Sequence, residues 1–160
     1  MGETFSACEV VELGIQVEEN GKDFYLALSD KADDPKVVEV FKYLADAEEK
    51  HIAAFRTIFD STCKYEPEGV YPDEYFSYMN SLASQYVFTQ QGKGEEVARE
   101  VKSYLEGIDL GIKFEEESIA FYEGMKRIIP PESVDVIDKL IAEERKHLDI
   151  LIELKEGARK

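Results

Sequence analysis

The sequence predicts an all-α fold: one domain, a four-helix bundle made from two copies of a helical hairpin. Three observations predict it. Apolar residues recur at helical spacing over long runs, while only 10 glycines and 5 prolines interrupt 160 residues. The second half of the chain repeats the first with a shift of 97 residues, which becomes 96 after one turn. Both histidines follow a glutamate by three positions, one in each copy.

The first helix is expected over about 6–32. Ser6-x-x-Glu9 has the spacing of a capping box, and Val10, Val11, Leu13, Val17, Phe24, Leu26 and Leu28 supply the apolar stripe. Asp33-Asp34-Pro35 ends it, and Pro35 suits the first turn of the next helix, where its missing N–H costs nothing. The second helix is expected over about 35–60, through Val37, Val40, Phe41, Leu44, His51, Phe55 and Ile58. The repeat then sets the third and fourth helices at about 103–128 and 131–157. Ser103-x-x-Glu106 repeats the capping box, Gly111-Ile112 repeats Gly14-Ile15, and Phe121-Tyr122 repeats Phe24-Tyr25. Pro131 repeats Pro35, and Leu140 repeats Leu44. Shared amphipathic patterning would match the apolar positions but not Ser, Gly, Pro, Tyr and His together, so the repeat is read as an internal duplication. The hairpins cover about 6–60 and 103–157, and the crossover 61–102 joins them. That connection is long enough to carry structure of its own: a short helix from Pro72 through Phe88, then a turn or two over Glu95 to Val101.

The chemistry lies in the repeated Glu48-x-x-His51 and Glu144-x-x-His147. Three residues turn a helix by about 300° and advance about 4.5 Å, so each Glu and His share a face. The duplication nominates Glu18 and Glu115 from the first helix of each hairpin. Each stands seven residues before a tyrosine, Tyr25 or Tyr122, which is nearly two full turns and puts the pair on one face. Glu18, Glu48, His51, Glu115, Glu144 and His147 are four carboxylates and two imidazoles, the ligand set of di-iron and di-manganese carboxylate bundles. Four carboxylates balance two divalent ions, and without metal they would repel one another strongly. Glu48 and Glu144 are expected to bridge two ions about 3.5–4 Å apart, with Glu18 and Glu115 terminal and a pseudo-twofold axis between the halves. Tyr25 and Tyr122 are expected to hold carboxylates by hydrogen bonds. Glu19, Glu49, Glu116, Glu117 and Glu143 are expected at the surface. No catalytic residue is expected beyond the metal ligands. Manganese or zinc would fit the same donors, and zinc would make the site redox-silent.

The formal charge of −16 argues against nucleic acid and anionic membrane surfaces as partners. No stretch is apolar enough to span a bilayer, and no basic-then-apolar leader opens the chain. Cys8 and Cys63 lack Cys-x-x-Cys spacing; they point to a reducing compartment, with a single disulfide as the alternative. A cytoplasmic protein is expected.

Through Glu18 with Tyr25, Glu48-x-x-His51, Glu115 and Glu144-x-x-His147, the sequence resembles the ferritin-like superfamily, and most closely the di-iron domain of rubrerythrins. The resemblance covers both hairpins. It implies a ferritin-like bundle, two iron ions, and reduction of hydrogen peroxide or oxygen with electrons from an external donor such as a rubredoxin-like protein or a flavoprotein. A homodimer is expected. Two departures stand out. The rubredoxin-type domain with four iron-binding cysteines has no counterpart here, and the extra glutamate three residues after the first ligand of the third helix is replaced by Ser118. Iron handling, as a ferroxidase or iron buffer, is the alternative function, and a bundle that metals merely stabilise while its surface binds a partner is the third.

Overall fold

A computed structural model describes residues 7–64 and 90–158. These form α1 (Ala7–Lys31), α2 (Pro35–Lys64), α3 (Lys93–Glu100), α4 (Tyr104–Met125), a 3₁₀ turn (Pro131–Ser133) and α5 (Val134–Ala158). The expected helix over Pro72–Phe88 and the cap residue Ser6 lie outside the described residues. α1 with α2, and α4 with α5, are the two closely packed hairpins; α1 also packs on α4, and α2 meets α5 more loosely. This is the four-helix bundle read from the duplication.

The apolar stripes meet in one core. Phe24, Phe41, Phe55 and Phe121 are fully buried, with Leu28, Leu44, Ile108, Met125 and Ile128 around them. Each such side chain contributes about 1.5–3 kcal/mol relative to leaving it in water. Aromatic rings link the hairpins: Phe55 on α2 lies 5.0 Å from Tyr122 on α4, and Tyr25 on α1 lies 6.1 Å from Phe114 on α4.

Helix ends follow local chemistry. The Glu106 N–H donates to Ser103 Oγ at 3.2 Å, as a capping box requires, but the Glu106 carboxylate reaches back to the Lys102 N–H at 2.9 Å rather than to that of Ser103. α4 ends at Met125, short of the expected 128. Pro130 and Pro131 lie ahead, and the chain tightens first: the N–H groups of Arg127 and Ile128 donate to the carbonyls of Gly124 and Met125. α2 continues to Lys64, past the expected Asp60. Its polar last turns are satisfied inside the helix, with Thr57 Oγ1 donating to the Ala53 carbonyl and Ser61 Oγ to that of Ile58.

Residues Lys93–Glu100, expected as a turn or two, make a helix that lies along α1. Gly92 at its start has φ 75°, a left-handed conformation that glycine adopts freely. The buried Asn20 fixes that end: its Nδ2 donates to the Gln90 carbonyl at 2.6 Å, and the Gly94 N–H donates to its Oδ1 at 3.2 Å. A Cβ at Gly94 would stand 1.9 Å from the Asn20 carbonyl oxygen, so only glycine allows the approach. At the other end the Lys31 ammonium donates to the carbonyls of Ala98, Arg99 and Val101 at 2.8, 2.8 and 2.9 Å. A cation on the last carbonyls complements the helix dipole.

Cys8 and Cys63 form a disulfide, with Cα atoms 5.2 Å apart. The expectation of reduced thiols is thereby corrected to the alternative, a single bond that ties the start of α1 to the end of α2. The physical reason is hairpin register, since the two cysteines lie at similar distances from the turn at Asp33-Asp34. The bond closes a loop with a sequence separation of 55. Removing such a cross-link costs about 4 kcal/mol through the entropy of the unfolded chain. Reduction, or Cys8→Ser with Cys63→Ser, should therefore lower the melting temperature by about 10 °C, the scale for a domain of this size. Calorimetry with and without reductant checks this, and an unchanged melting temperature would contradict it.

Candidate metal centre

Glu18 comes from α1, Glu48 and His51 from α2, Glu115 from α4, and Glu144 and His147 from α5. The structure brings all six together at mid-bundle. The four carboxylates and His147 are 0% exposed and His51 is 5% exposed. Helical periodicity explains the convergence. Glu18 continues the buried stripe of Val11, Gly14 and Val17, and Glu48 that of Phe41, Leu44 and Ala45.

Each imidazole faces three carboxylates through Nδ1. His51 Nδ1 stands 3.4 Å from Glu18 Oε2, 3.3 Å from Glu144 Oε1 and 3.9 Å from Glu48 Oε2. His147 Nδ1 stands 2.9 Å from Glu144 Oε2, 3.5 Å from Glu48 Oε1 and 3.7 Å from Glu115 Oε1. Glu48 and Glu144 thus each turn one oxygen to one imidazole and the other oxygen to the other. The two rings lie nearly parallel, 5.4 Å apart. Two groups of four donor atoms result, each within 4.8 Å: Glu18, Glu48, His51 and Glu144; and Glu48, Glu115, Glu144 and His147, with a third group of His51, Glu144 and His147 between them. The groups of four share Glu48 and Glu144.

The tyrosines add a feature that spacing alone missed. Tyr25 on α1 donates to Glu115 Oε1 on α4 at 2.5 Å, and Tyr122 on α4 donates to Glu18 Oε1 on α1 at 2.5 Å. Each tyrosine serves the glutamate of the opposite hairpin, not the one on its own helix. This exchange is what a twofold relation between the hairpins produces. Burial, and then the adjacent Glu115 charge, pushes the Tyr25 hydroxyl well above its usual 10; burial and Glu18 do the same for Tyr122. Both remain neutral donors. Each leaves the second oxygen of its glutamate free.

The polar atoms of the cluster are arranged for a cation. Apart from Thr62 Oγ1, every buried side-chain N or O without a hydrogen-bond partner among the described residues belongs to these six residues. Buried, unpartnered polar atoms are costly, and here they all converge on one place. Without metal, protons have to balance the charge. Burial, followed by the neighbouring Glu144 and Glu18 charges, raises Glu48 well above 4.5; burial and Glu18 do the same for Glu144. Burial opposes the charged form of His51, but the Glu18 and Glu144 carboxylates outweigh it and raise its pKa to about 11. His147 is likewise raised to about 9 by Glu115 and Glu144 against burial. Burial also acts to raise Glu18, yet its contacts with Glu48 and His51 bring it down to about 2. Four acidic side chains and two bases packed this way form a donor set able to hold two hard or borderline divalent ions.

The neighbouring glutamates stay outside. Glu49 is exposed and pairs with Lys22 at 2.6 Å, and Glu143 pairs with Lys146 at 2.9 Å. Glu19 lies near Arg56 at 3.7 Å, and Glu116 is exposed. Glu117 is half-buried, with its pKa raised by burial, and no described donor group includes it. Ser118 is buried, and its hydroxyl donates to the Phe114 carbonyl at 2.9 Å rather than to a ligand.

Fold and donor set together define a ferritin-like bundle of the di-iron-carboxylate class, with a buried Glu/His cluster able to bind metal. The rubrerythrin family model matches residues 9–155. The chain belongs to the rubrerythrin family. Among solved structures it is similar to a Thermotoga maritima protein described as ferritin-like diiron-carboxylate, with TM-score 0.70 and 23% identity over 99% of each chain. It is also similar to a hypothetical protein from Pyrococcus furiosus, with TM-score 0.68 and 25% identity over 95% of this chain and 89% of that one. A comparison with curated proteins gives no match.

Proposed function

We propose that this protein is a di-iron oxidoreductase that reduces hydrogen peroxide or oxygen with electrons from a separate donor protein. The observation that carries the proposal is the pair of donor groups sharing Glu48 and Glu144, fully buried in a rubrerythrin-family bundle. The description of the Thermotoga maritima neighbour as a diiron-carboxylate protein points the same way. When bound, two iron ions would supply the two electrons that, with two protons, turn one peroxide into two waters.

The chain's own residues do the rest. Glu48 and Glu144 hold the halves together, because each presents an oxygen to both. His51 and His147 add one neutral nitrogen to each half. Tyr122 fixes Glu18 by Oε1 while its Oε2 faces His51, and Tyr25 fixes Glu115 by the Oε1 that also faces His147. Burial of the six side chains lowers the local dielectric, which strengthens each charge interaction among them. The two cysteines are joined to each other and are too few for a four-cysteine iron site, and in this reading a rubredoxin-like protein or a flavoprotein supplies the electrons. Among the described residues no helix is long and apolar enough to cross a membrane.

The test uses protein loaded anaerobically with Fe(II). One peroxide should be consumed per two irons in a single fast phase, and sustained turnover should appear only when a donor is added. Rapid turnover with NADH and the purified protein alone would contradict the donor requirement. Iron uptake far beyond two per chain would move the function to iron handling.

A further inference from the structure

The duplication makes the two halves of the cluster alike in ligands and in tyrosines, yet their outer sides differ. Tyr43 on α2 reaches across the seam to α5, and its ring makes a T-shaped contact with that of His147, with centroids 6.5 Å apart and planes at 84°. Tyr43 is 54% exposed while the His147 ring that it touches is buried. The shift of 96 that pairs His51 with His147 pairs Tyr43 with Lys139, an exposed lysine with no ring to lay on His51.

Burial follows this difference. The His147 side chain is 1% exposed and both its ring nitrogens are enclosed without a hydrogen bond. The His51 side chain is 7% exposed, and only its Nδ1 is enclosed in that way. The seam between α2 and α5 is also packed less closely than either hairpin, so side chains decide what passes there. We propose that Tyr43 is a one-sided cover: it seals the His147 half and leaves the His51 half as the port through which water, metal ions and peroxide-sized molecules reach the centre. What the port admits rests on the redox reading; the cover itself does not. The ring does the covering, since the contact is between ring and ring.

Zinc-loaded protein tests this without any turnover. Its zinc content is measured first, then hydroxyl-radical footprinting with peptide mass spectrometry reads each histidine separately, there being only two. Oxidation of His51 should exceed that of His147 by about sevenfold, the ratio of exposures of 7% and 1%, if labelling follows accessible area. Tyr43→Ala should raise His147 to within about twofold of His51 and leave His51 unchanged, because only the cover is lost. Tyr43→Phe should retain the wild-type pattern. Lys139→Tyr should lower His51 toward the His147 level, since it builds the missing cover. Equal labelling of the two histidines with two zinc ions bound, or a His147 level unmoved by Tyr43→Ala, would overturn the proposal while leaving the two-metal reading intact. Unequal labelling that responds to Tyr43→Ala in protein unable to hold zinc would support the cover and sink the two-metal reading.

Discussion

Glu48→Ala and Glu144→Ala should each lose both metal ions, whereas Glu49→Ala and Glu143→Ala should keep them. The expectation follows from how each carboxylate is shared. Glu48 turns Oε2 toward His51 at 3.9 Å and Oε1 toward His147 at 3.5 Å. Glu144 turns Oε1 toward His51 at 3.3 Å and Oε2 toward His147 at 2.9 Å. Removing either one takes a ligand from both groups at once and leaves three like-charged carboxylates with less to hold them. His51→Ala and His147→Ala each remove one donor from one half, so the adjacent ion should be weakened first. Tyr25→Phe and Tyr122→Phe keep all six ligands and lose only an orienting hydrogen bond, which costs about 10–100-fold in affinity in comparable sites. Glu49 and Glu143 form ion pairs with Lys22 and Lys146 and are the controls for general acidity. Metal analysis after anaerobic loading checks the series. Equal losses from the controls, or two ions retained when Glu48 and Glu144 are both replaced, would sink the assignment.

The fold was legible because the sequence states it twice. One amphipathic hairpin could be mistaken for many things, but Gly14 repeated at Gly111, Pro35 at Pro131 and His51 at His147 fixed the pairing of elements. The six converging residues were legible for the same reason: the Glu-x-x-His motifs locate one helix of each hairpin, and the duplication carries Glu18 to Glu115. What one helix cannot show is its neighbour. Tyr25 shares a face with Glu18 but lies about 10 Å away along the axis, too far for a hydrogen bond. Only the packing of α4 against α1 brings Glu115 level with it. The disulfide is a statement of the same kind, about the register of two helices, with Cys8 25 residues before Asp33 and Cys63 29 residues after Asp34. α2 runs past the expected Asp60 because its polar end is satisfied inside the helix. Inside the helix Ser61 returns its hydroxyl to a carbonyl, Thr62 is buried and Cys63 is bonded to α1. Tyr43 gave no sequence signal at all, since an aromatic on a helix face has no chemistry until the residue beneath it is known.

Stripped of metal by a chelator, the protein should lose stability steadily as pH rises from about 6.5 to 9.5, and metal should abolish that slope. Each group that titrates in or near this window has the same sign. His51 and His147 are raised from 6.5 to about 11 and about 9. Their contribution is complete below the unfolded value of 6.5 and is lost as pH climbs through the folded values. Glu48 and Glu144 are raised well above 4.5, so the folded protein keeps protons that the unfolded chain has released, and that advantage also shrinks as pH rises. Glu18, lowered to about 2, adds stability above 4.5 that disappears only as pH falls toward 2, outside the window. The window is otherwise quiet: these are the only histidines, and the only cysteines are in the disulfide. Bound cations replace the protons as counter-charges to the carboxylates. They also stabilise the folded state by mass action, about 4 kcal/mol at a thousandfold excess over the dissociation constant. Melting curves of chelated and zinc-loaded protein across the window measure both effects. A chelated protein whose melting temperature is flat or rises between pH 6.5 and 9.5 would show that the buried carboxylates and imidazoles are not held by shared protons in the absence of metal.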